Sequence, residues 1–380
     1  MSNLGKQKKV VHLTTVHHPF DTRIYHKECL SLHKAGYDVS LIVPLDDKES
    51  GARLVTEEGI QLIATRKRKN RLLRMIGSTW QTYRLAKKEQ ADYYHFHDPE
   101  LLWVGWLLKK TNNTVIYDVH EDYQTSILQK DYLKKPIKNI VAHLYNKIEA
   151  FLIRKLDICL AEKYYQERYP NGQPILNYPI LNEQLLTARR DEEEPANAVI
   201  YTGNVTEVRG AYLHAILPKL PSQLDIYFYG KCQREIADKM EALAGAAKDQ
   251  LHFTGIDQFV ERQEIDKAYL KRNWLAGMAV FPPTAHYKRK ELTKFFEYMT
   301  AGIPIVCSNF PTWQAFIDRH QCGITVDPND PNDWEQALDY LKNHPEERKE
   351  MIEKGRQAIK NELNWQVEES KLLTWYQKLQ

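Results

Sequence analysis

Residues 291–308, ELTKFFEYMTAGIPIVCS, constrain the fold most, because they dictate a helix, a stop and a buried strand in close succession. Phe295, Phe296 and Met299 recur at helical spacing and bury one side of a short helix. Thr293 is placed to cap that helix, since its hydroxyl oxygen can accept a free amide of the first turn. Gly302 tolerates the left-handed turn after the helix, and Pro304 cannot continue it. Ile303, Ile305, Val306 and Cys307 then read as a buried strand. Glu297 lies one turn into the helix, three residues after Lys294 on the same face. The helix thus brings an amide-rich, partly positive N-terminus, a lysine and a carboxylate to one edge of a sheet, which suits a diphosphate attached to a sugar. A buried helix and strand with one solvated Glu–Lys pair accounts for the same residues equally well.

The run KFFEYMTAGIPIVCS resembles the signature of retaining glycosyltransferases of family 4. Their fold, GT-B, is an α/β architecture of two facing Rossmann-like doubly wound domains with a cleft between them and a C-terminal helix crossing back. The resemblance implies that Glu297 binds the donor's ribose and that the loop entering the helix wraps its diphosphate.

The 380 residues suffice for two domains of ordinary size, and 43% hydrophobic with 11% aromatic content excludes a disordered chain. No run of about 18 apolar residues is long enough to span a membrane. The N-terminal MSNLGKQKKVVHLTTV runs into a strand without the apolar core of a signal peptide, so a cytoplasmic protein is expected. Five scattered cysteines, 29, 159, 232, 307 and 322, read as reduced thiols. A net charge of +3 is too small to imply nucleic acid as a partner.

Residues 10–16 alternate and are β-branched, as in a first strand, and open on His17-His18-Pro19-Phe20-Asp21-Thr22-Arg23 before a helix through Leu32. Gly36 ends the helix and 38–43 form a second strand, the opening βαβ of a doubly wound sheet, whose ligands sit at the carboxyl ends of strands. No G-x-G-x-x-G follows the first strand, so a dinucleotide fingerprint is absent. The segment 18–44 is similar to the start of many family-4 enzymes. Strands at 92–96 and 114–119 deliver His95, His97 and Asp98, and then Asp118, His120 and Glu121, to the same sheet edge. His-x-His also suits a metal, which makes a metal-dependent hydrolase the rival reading. Further ligands on later strands are missing from the sequence, and no Asp-x-Asp pair is suitably placed. HFHDPELL and IYDVHEDY resemble acceptor-side segments of family 4, which implies His120 near the transferred sugar. His18, Asp21, Arg23, His97, Asp98 and Glu121 are the other acceptor-side candidates. His18, His95, His97 and Asp98 fit packing or loop structure as well.

Between the strands at 38–43 and 92–96 lies a basic run, Arg66, Lys67, Arg68, Lys69, Arg71 and Arg74, interleaved with Leu72, Leu73, Met75, Ile76 and Trp80. Residues 66–80 suit an anionic membrane surface. They equally suit a solvated turn before a helix whose apolar side packs inward.

A helix is expected at 138–156 and a strand at 158–160. PILNYPILN (174–182) closes a first domain of residues 1–190, completed by a helix at 365–380. The acidic run 191–195 is the linker, and a second domain spans 196–364. That domain opens with a strand at 199–202, then Gly203, Asn204 and Arg209 before a helix, a phosphate cradle in principle. Gly230 ends a further strand. Family 4 carries G-R-L-x-x-x-K-G here, with Arg and Lys on the diphosphate. In this chain Arg209 takes the lysine place and Asn204 the arginine place, so one formal charge is missing. Arg289 stands where many relatives have a glutamate, eight positions before Glu297.

The resemblance implies transfer of a hexosyl unit, with retention, from a nucleoside diphosphate sugar to a saccharide or lipid-linked saccharide. No cofactor or metal is expected. His120, Arg209 and Lys294 are the catalytic candidates, and Gly203, Asn204, Arg209, Gly230, Thr293, Lys294 and Glu297 the donor-binding ones. A sugar-nucleotide epimerase of the same fold and a catalytically silent nucleotide-sugar-binding protein remain alternatives.

Overall fold

The computed structural model describes residues 7–46, 48–68, 74–120, 135–188, 194–284 and 287–379. The chain divides into two compact units, Met1–Asn177 with Trp365–Gln380, and Tyr178–Asn364. Each is built on one sheet.

The first sheet runs β3-β4-β2-β1-β5-β6-β7-β8. Its strands are β1 (Lys9–Leu13), β2 (Asp38–Leu45), β3 (Arg53–Val55), β4 (Gln61–Arg66), β5 (Tyr93–Phe96), β6 (Thr114–Val119), β7 (Asp157–Leu160) and β8 (Gln173–Pro174). All pairs are parallel except β3 with β4. Parallel strands covered on both faces must be apolar throughout, and β1 and β2 are buried along nearly their whole length. The two-residue period sorts their side chains into two cores. Val10 and Leu41 face Ile24, Leu32 and Trp365, while Val11 and Ile42 face Ala86, Leu102 and Leu108 on the other side. The helices α1 (22–34, wide-turned over Thr22–Cys29), α2 (Thr79–Glu89), α3 (Leu102–Leu108) and α4 (Lys135–Leu152) belong to this unit. β1 is shorter than the sequence suggests. Thr14 ends it, because its Oγ1 accepts the amides of Val16 (3.3 Å) and His17 (3.1 Å) and turns the chain.

The second sheet is wholly parallel, in the order β11-β10-β9-β12-β13-β14. These are β9 (Ala198–Thr202), β10 (Asp225–Cys232), β11 (Leu251–Ile256), β12 (Gly277–Ala279), β13 (Ile305–Ser308) and β14 (Gly323–Val326). Among the parallel strands of each sheet the order reverses at one place, between β1 and β5 and between β9 and β12. Those are the positions where an α/β sheet opens a crevice at its carboxyl edge.

Three further helices matter to the sites, α5 (Glu183–Thr187), α6 (Arg262–Leu270) and α7 (Thr293–Ala301). Residues 178–188, expected with the first domain, pack in the second unit. The Tyr178 ring meets Phe296 edge-on at 5.1 Å, Leu185 and Leu186 are buried, and Arg356 donates to the Ala188 carbonyl at 2.5 Å. Burial of these apolar groups, not the acidic composition further on, sets the boundary; residues 191–193 of that run lie outside the described residues. The last helix, α8 (Trp365–Lys378), belongs to the first unit. Trp365 Nε1 donates to Ser31 Oγ (3.0 Å), the Tyr376 hydroxyl meets His95 Nδ1 (2.8 Å), and buried Glu368 accepts the Leu176 amide (2.8 Å).

Candidate functional site

In the second unit β9 ends at Thr202, and Gly203 follows with φ +91°. A Cβ added to Gly230 of β10 would fall 2.1 Å from the Gly203 carbonyl oxygen, so only glycine lets the two backbones meet. One 3₁₀ turn, Glu207–Arg209, then carries the Arg209 guanidinium to the Tyr287 hydroxyl, to which Nε donates at 3.0 Å.

Helix α7 differs from the expectation in two ways. Its N-cap position is Leu292, with no side-chain cap, and Thr293 is an exposed first-turn residue. Nor is there a solvated Glu–Lys pair. Lys294 is 7% exposed; its Nζ has no hydrogen-bond partner and sits 3.5 Å from the Tyr201 ring centroid and 4.9 Å from that of Phe281. Glu297 turns instead to α6, accepting from the Arg262 guanidinium and from the Tyr269 hydroxyl at 2.7 Å. Tyr269 in turn accepts from the Thr202 hydroxyl at 2.9 Å. The helix side facing β9 takes the lysine, and α6 supplies the cation that the sequence assigns to Lys294.

Burial and then the nearby Arg209 hold Lys294 well below the ordinary lysine range. Burial and then Lys294 push His214 down to about 3, so its imidazole is neutral and Nε2 accepts the Val280 amide at 3.2 Å. The buried Lys294 Nζ has no hydrogen-bonded anion and lies beside Arg209 and a glycine-lined pair of strand ends, a setting in which an anion would favour its charged form. Exposed Asn204 places no charge there; its carbonyl accepts from the Tyr201 hydroxyl at 3.0 Å.

The first unit gathers a different cluster at the carboxyl edge of β1, β5 and β6. Buried Arg23 grips Asp118 with two hydrogen bonds, Nε at 2.9 Å and Nη2 at 2.8 Å, and pairs with Glu28 at 3.1 Å. His120 binds the same carboxylate through Nε2, and His97 Nδ1 lies 3.1 Å from it. His97 Nε2 meets His12 Nδ1 at 3.0 Å. Burial holds His97 down to about 4, only partly offset by Asp118, so it is neutral: it donates through Nδ1 and accepts from His12. Burial works against ionisation of Asp118, but Arg23 and then His120 keep it a carboxylate, well below its usual range. For Glu28 the pull of Arg23 is outweighed, and burial and then Asp118 raise it well above the carboxylate range.

The other expected acceptor-side residues divide. Asp21 caps α1, accepting the amides of Arg23 (2.9 Å) and Ile24 (3.0 Å). Asp98 is buried and accepts from Thr14 Oγ1 (2.9 Å) and the Thr15 amide (2.6 Å), which fixes the turn after β1. Exposed His18 accepts the Phe20 amide at 3.2 Å. Glu121 lies outside the described residues. Arg23, His97 and His120 come together, and His120 keeps 13% of its side chain accessible. Sequence reasoning missed Glu28, Arg262, Tyr269 and His214, most of whose partners are distant in the chain.

Among the described residues, Glu28, His95, His97 and Asp118 have donor atoms within 4.8 Å of one another, a spacing that admits a metal ion. Both oxygens of Asp118 are already taken by Arg23, whose positive charge opposes a dication at that place.

Two family models match the chain: Glycosyltransferase Family 4 over residues 23–165, and Glycosyl transferases group 1 over residues 215–358. No curated protein sequence matches. Solved structures do. Sucrose-phosphate synthase from Thermosynechococcus elongatus is similar with a TM-score of 0.71 at 15% identity, over 98% of this chain and 99% of that one. HepE of Anabaena, in complex with UDP-glucose, gives 0.68 at 10% identity over 97% and 99%. WaaG, a glycosyltransferase involved in lipopolysaccharide biosynthesis, gives 0.65 at 14% identity over 96% and 98%. With a Glycosyltransferase Family 4 domain in its first unit and a Glycosyl transferases group 1 domain in its second, the chain is a glycosyltransferase of GT-B fold.

Proposed function

We propose that the protein moves a hexosyl unit, with retention, from a nucleoside diphosphate sugar to a saccharide or lipid-linked saccharide during assembly of a surface polysaccharide or related glycan. The observation that carries this reading is Lys294, a buried lysine whose Nζ has no hydrogen-bond partner, beside Arg209. A donor diphosphate supplies the missing anion. As the bond from the anomeric carbon to the diphosphate oxygen breaks, charge grows on that oxygen, and Lys294 and Arg209 stabilise it more strongly than the ground state. Glu297, oriented by Arg262 and Tyr269, accepts from the donor's ribose. His120, held by Asp118 and His97, is the acceptor-side catalytic candidate, and Asn204 and Thr293 border the donor. The UDP-glucose complex of the structurally similar HepE favours a uridine donor.

Incubation with UDP-, GDP- and dTDP-sugars, with and without saccharide acceptors, tests the reading. Glycosylated product with its anomeric configuration retained supports it. Conversion of the nucleotide sugar without acceptor marks an epimerase, and binding without turnover marks a silent module. The latter finds support in Asn204 and Arg289, where family 4 has an arginine and many relatives a glutamate.

A further inference from the structure

We propose that His17 is a positioning residue of the transfer reaction: held between Asp21 and Asp98, it sets the ring of His120. This role rests on the transfer reading, in which His120 is the acceptor-side candidate, and adds to it the group that orients that ring.

The sequence presents His17 and His18 side by side, with nothing local to choose between them. The structure separates them. His18 is exposed and accepts the Phe20 amide. His17 keeps 29% of its side chain accessible, its amide donates to Thr14 Oγ1 at 3.1 Å, and its ring meets that of His120 edge to face, with 5.4 Å between centroids and 66° between planes.

Two carboxylates hold His17 there, and each divides its oxygens in the same way. Asp21 Oδ1 caps α1, while Oδ2 lies 3.5 Å from His17 Nδ1. Asp98 Oδ2 takes the Thr14 hydroxyl and the Thr15 amide, while Oδ1 lies 3.4 Å from His17 Nε2. One oxygen of each fixes the backbone and the other aims a histidine. Only the imidazolium donates at both ring nitrogens, so the two carboxylates together suit that form. Burial works against ionisation of Asp21, but His17 and the amides of Ile24 and Arg23 hold it well below the usual carboxylate range.

His120 needs such a neighbour. Its Nε2 bonds to Asp118, and an ionised carboxylate only accepts, so Nε2 carries the hydrogen and the neutral ring keeps its lone pair on Nδ1. A grip at one ring nitrogen still lets an imidazole swing about that contact. The His17 ring, itself fixed from two sides, restricts the swing. A group so held enters the reaction already oriented, and losing that orientation costs rate more than binding.

The test is a double-mutant cycle on kcat, run on the full chain with the nucleotide sugar and saccharide acceptor that the incubations above select. His17→Ala should lower kcat by roughly tenfold to a hundredfold, change KM for donor and acceptor by less than about threefold, and keep the wild-type urea midpoint. In a His120→Ala background the same change should lower kcat no further, because His17 acts through His120. His17→Phe keeps the bulk of the ring but gives up both carboxylates; it should lower kcat too, and it carries the test if His17→Ala does not fold. Wild-type kcat in these variants, an equal drop in the His120→Ala background, or a rise in KM at constant kcat would each overturn the role of His17 and leave sugar transfer standing. A wild type that transfers to no acceptor would overturn the transfer reading and this role with it.

Discussion

Arg23 and Lys294 are both buried cations at the carboxyl edge of a parallel sheet, and their surroundings are opposite. Arg23 spends its guanidinium on Asp118 and Glu28, and Asp118 in turn holds His97 and His120. Lys294 faces the rings of Tyr201 and Phe281, with a second cation nearby. A buried charge that is matched within the chain is part of the fold. One left unmatched costs stability unless something arrives to meet it. On the proposed reading, the difference separates a scaffold in the first unit from a donor site in the second.

The largest effect expected from this contrast is on Asp118→Ala. Removing that carboxylate strands Arg23 inside the first unit, and breaking a buried pair by deleting one partner costs about 3–5 kcal/mol. Urea unfolding should show this as a lower midpoint, and a loss below about 1 kcal/mol would dissolve the distinction. The same cluster gives a pH test. Unfolded His97 titrates near 6.5, while in the fold it is held down to about 4. Between those values the unfolded chain binds more protons, so stability is fully present above about 6.5 and is lost as pH falls towards 4. His97→Gln should flatten the stability profile in that window, and an unchanged slope would remove His97 as its source.

Lys294→Met should act the other way on stability and more narrowly on function. The fold loses an unmatched charge, so unfolding free energy should equal or exceed that of wild type. Lys294 is held below the ordinary lysine value, so below about pH 10.4 the unfolded chain takes up a proton that the fold resists. Wild type should therefore lose stability relative to Lys294→Met as pH falls through that value. Donor affinity should drop by about 1.5–3 kcal/mol, roughly tenfold to a hundredfold, in both Lys294→Met and Glu297→Ala, as read by calorimetric titration with nucleotide sugar. A variant that folds and titrates donor as wild type does would clear that residue of donor binding.

The sheets were legible because buried parallel strands need long apolar, β-branched runs; the expected strand at 114–119 matches β6, Thr114–Val119. The strand Arg53–Val55 was not legible. It is three residues long, wholly exposed and antiparallel at the sheet edge, so no burial pattern marks it. Helix α7 was readable in type and in its Gly302 stop, but its start lacks the hydroxyl cap that the sequence suggested. The charge at the sites was read least well. A lone Glu28 within IYHKECLSL carries no local sign of burial, because Asp118 and the histidines come from strands far along the chain. Lys294 next to Glu297 invites a solvated pair, and only the placement of β9 and α6 shows that each turns to another element.

The smallest effect, and the sharpest on mechanism, is expected at Arg209. Its guanidinium donates to the Tyr287 hydroxyl and has no buried carboxylate to desert, so Arg209→Ala should leave the first-unit cluster and the urea midpoint unchanged. Asn204 brings no further cation, so on the proposed reading Arg209 and Lys294 share the donor diphosphate between them. On that reading both cations meet the oxygen on which charge grows, Lys294 fixed by packing and Arg209 carried on a single turn that ends at left-handed Gly210. The variant should therefore lower kcat by about tenfold while raising KM by less, the signature of an interaction made mainly in the transition state. A rise in KM at constant kcat would instead make Arg209 a uniform binder of the donor. Equal kinetics for wild type and variant would leave Lys294 as the only cation facing the leaving group.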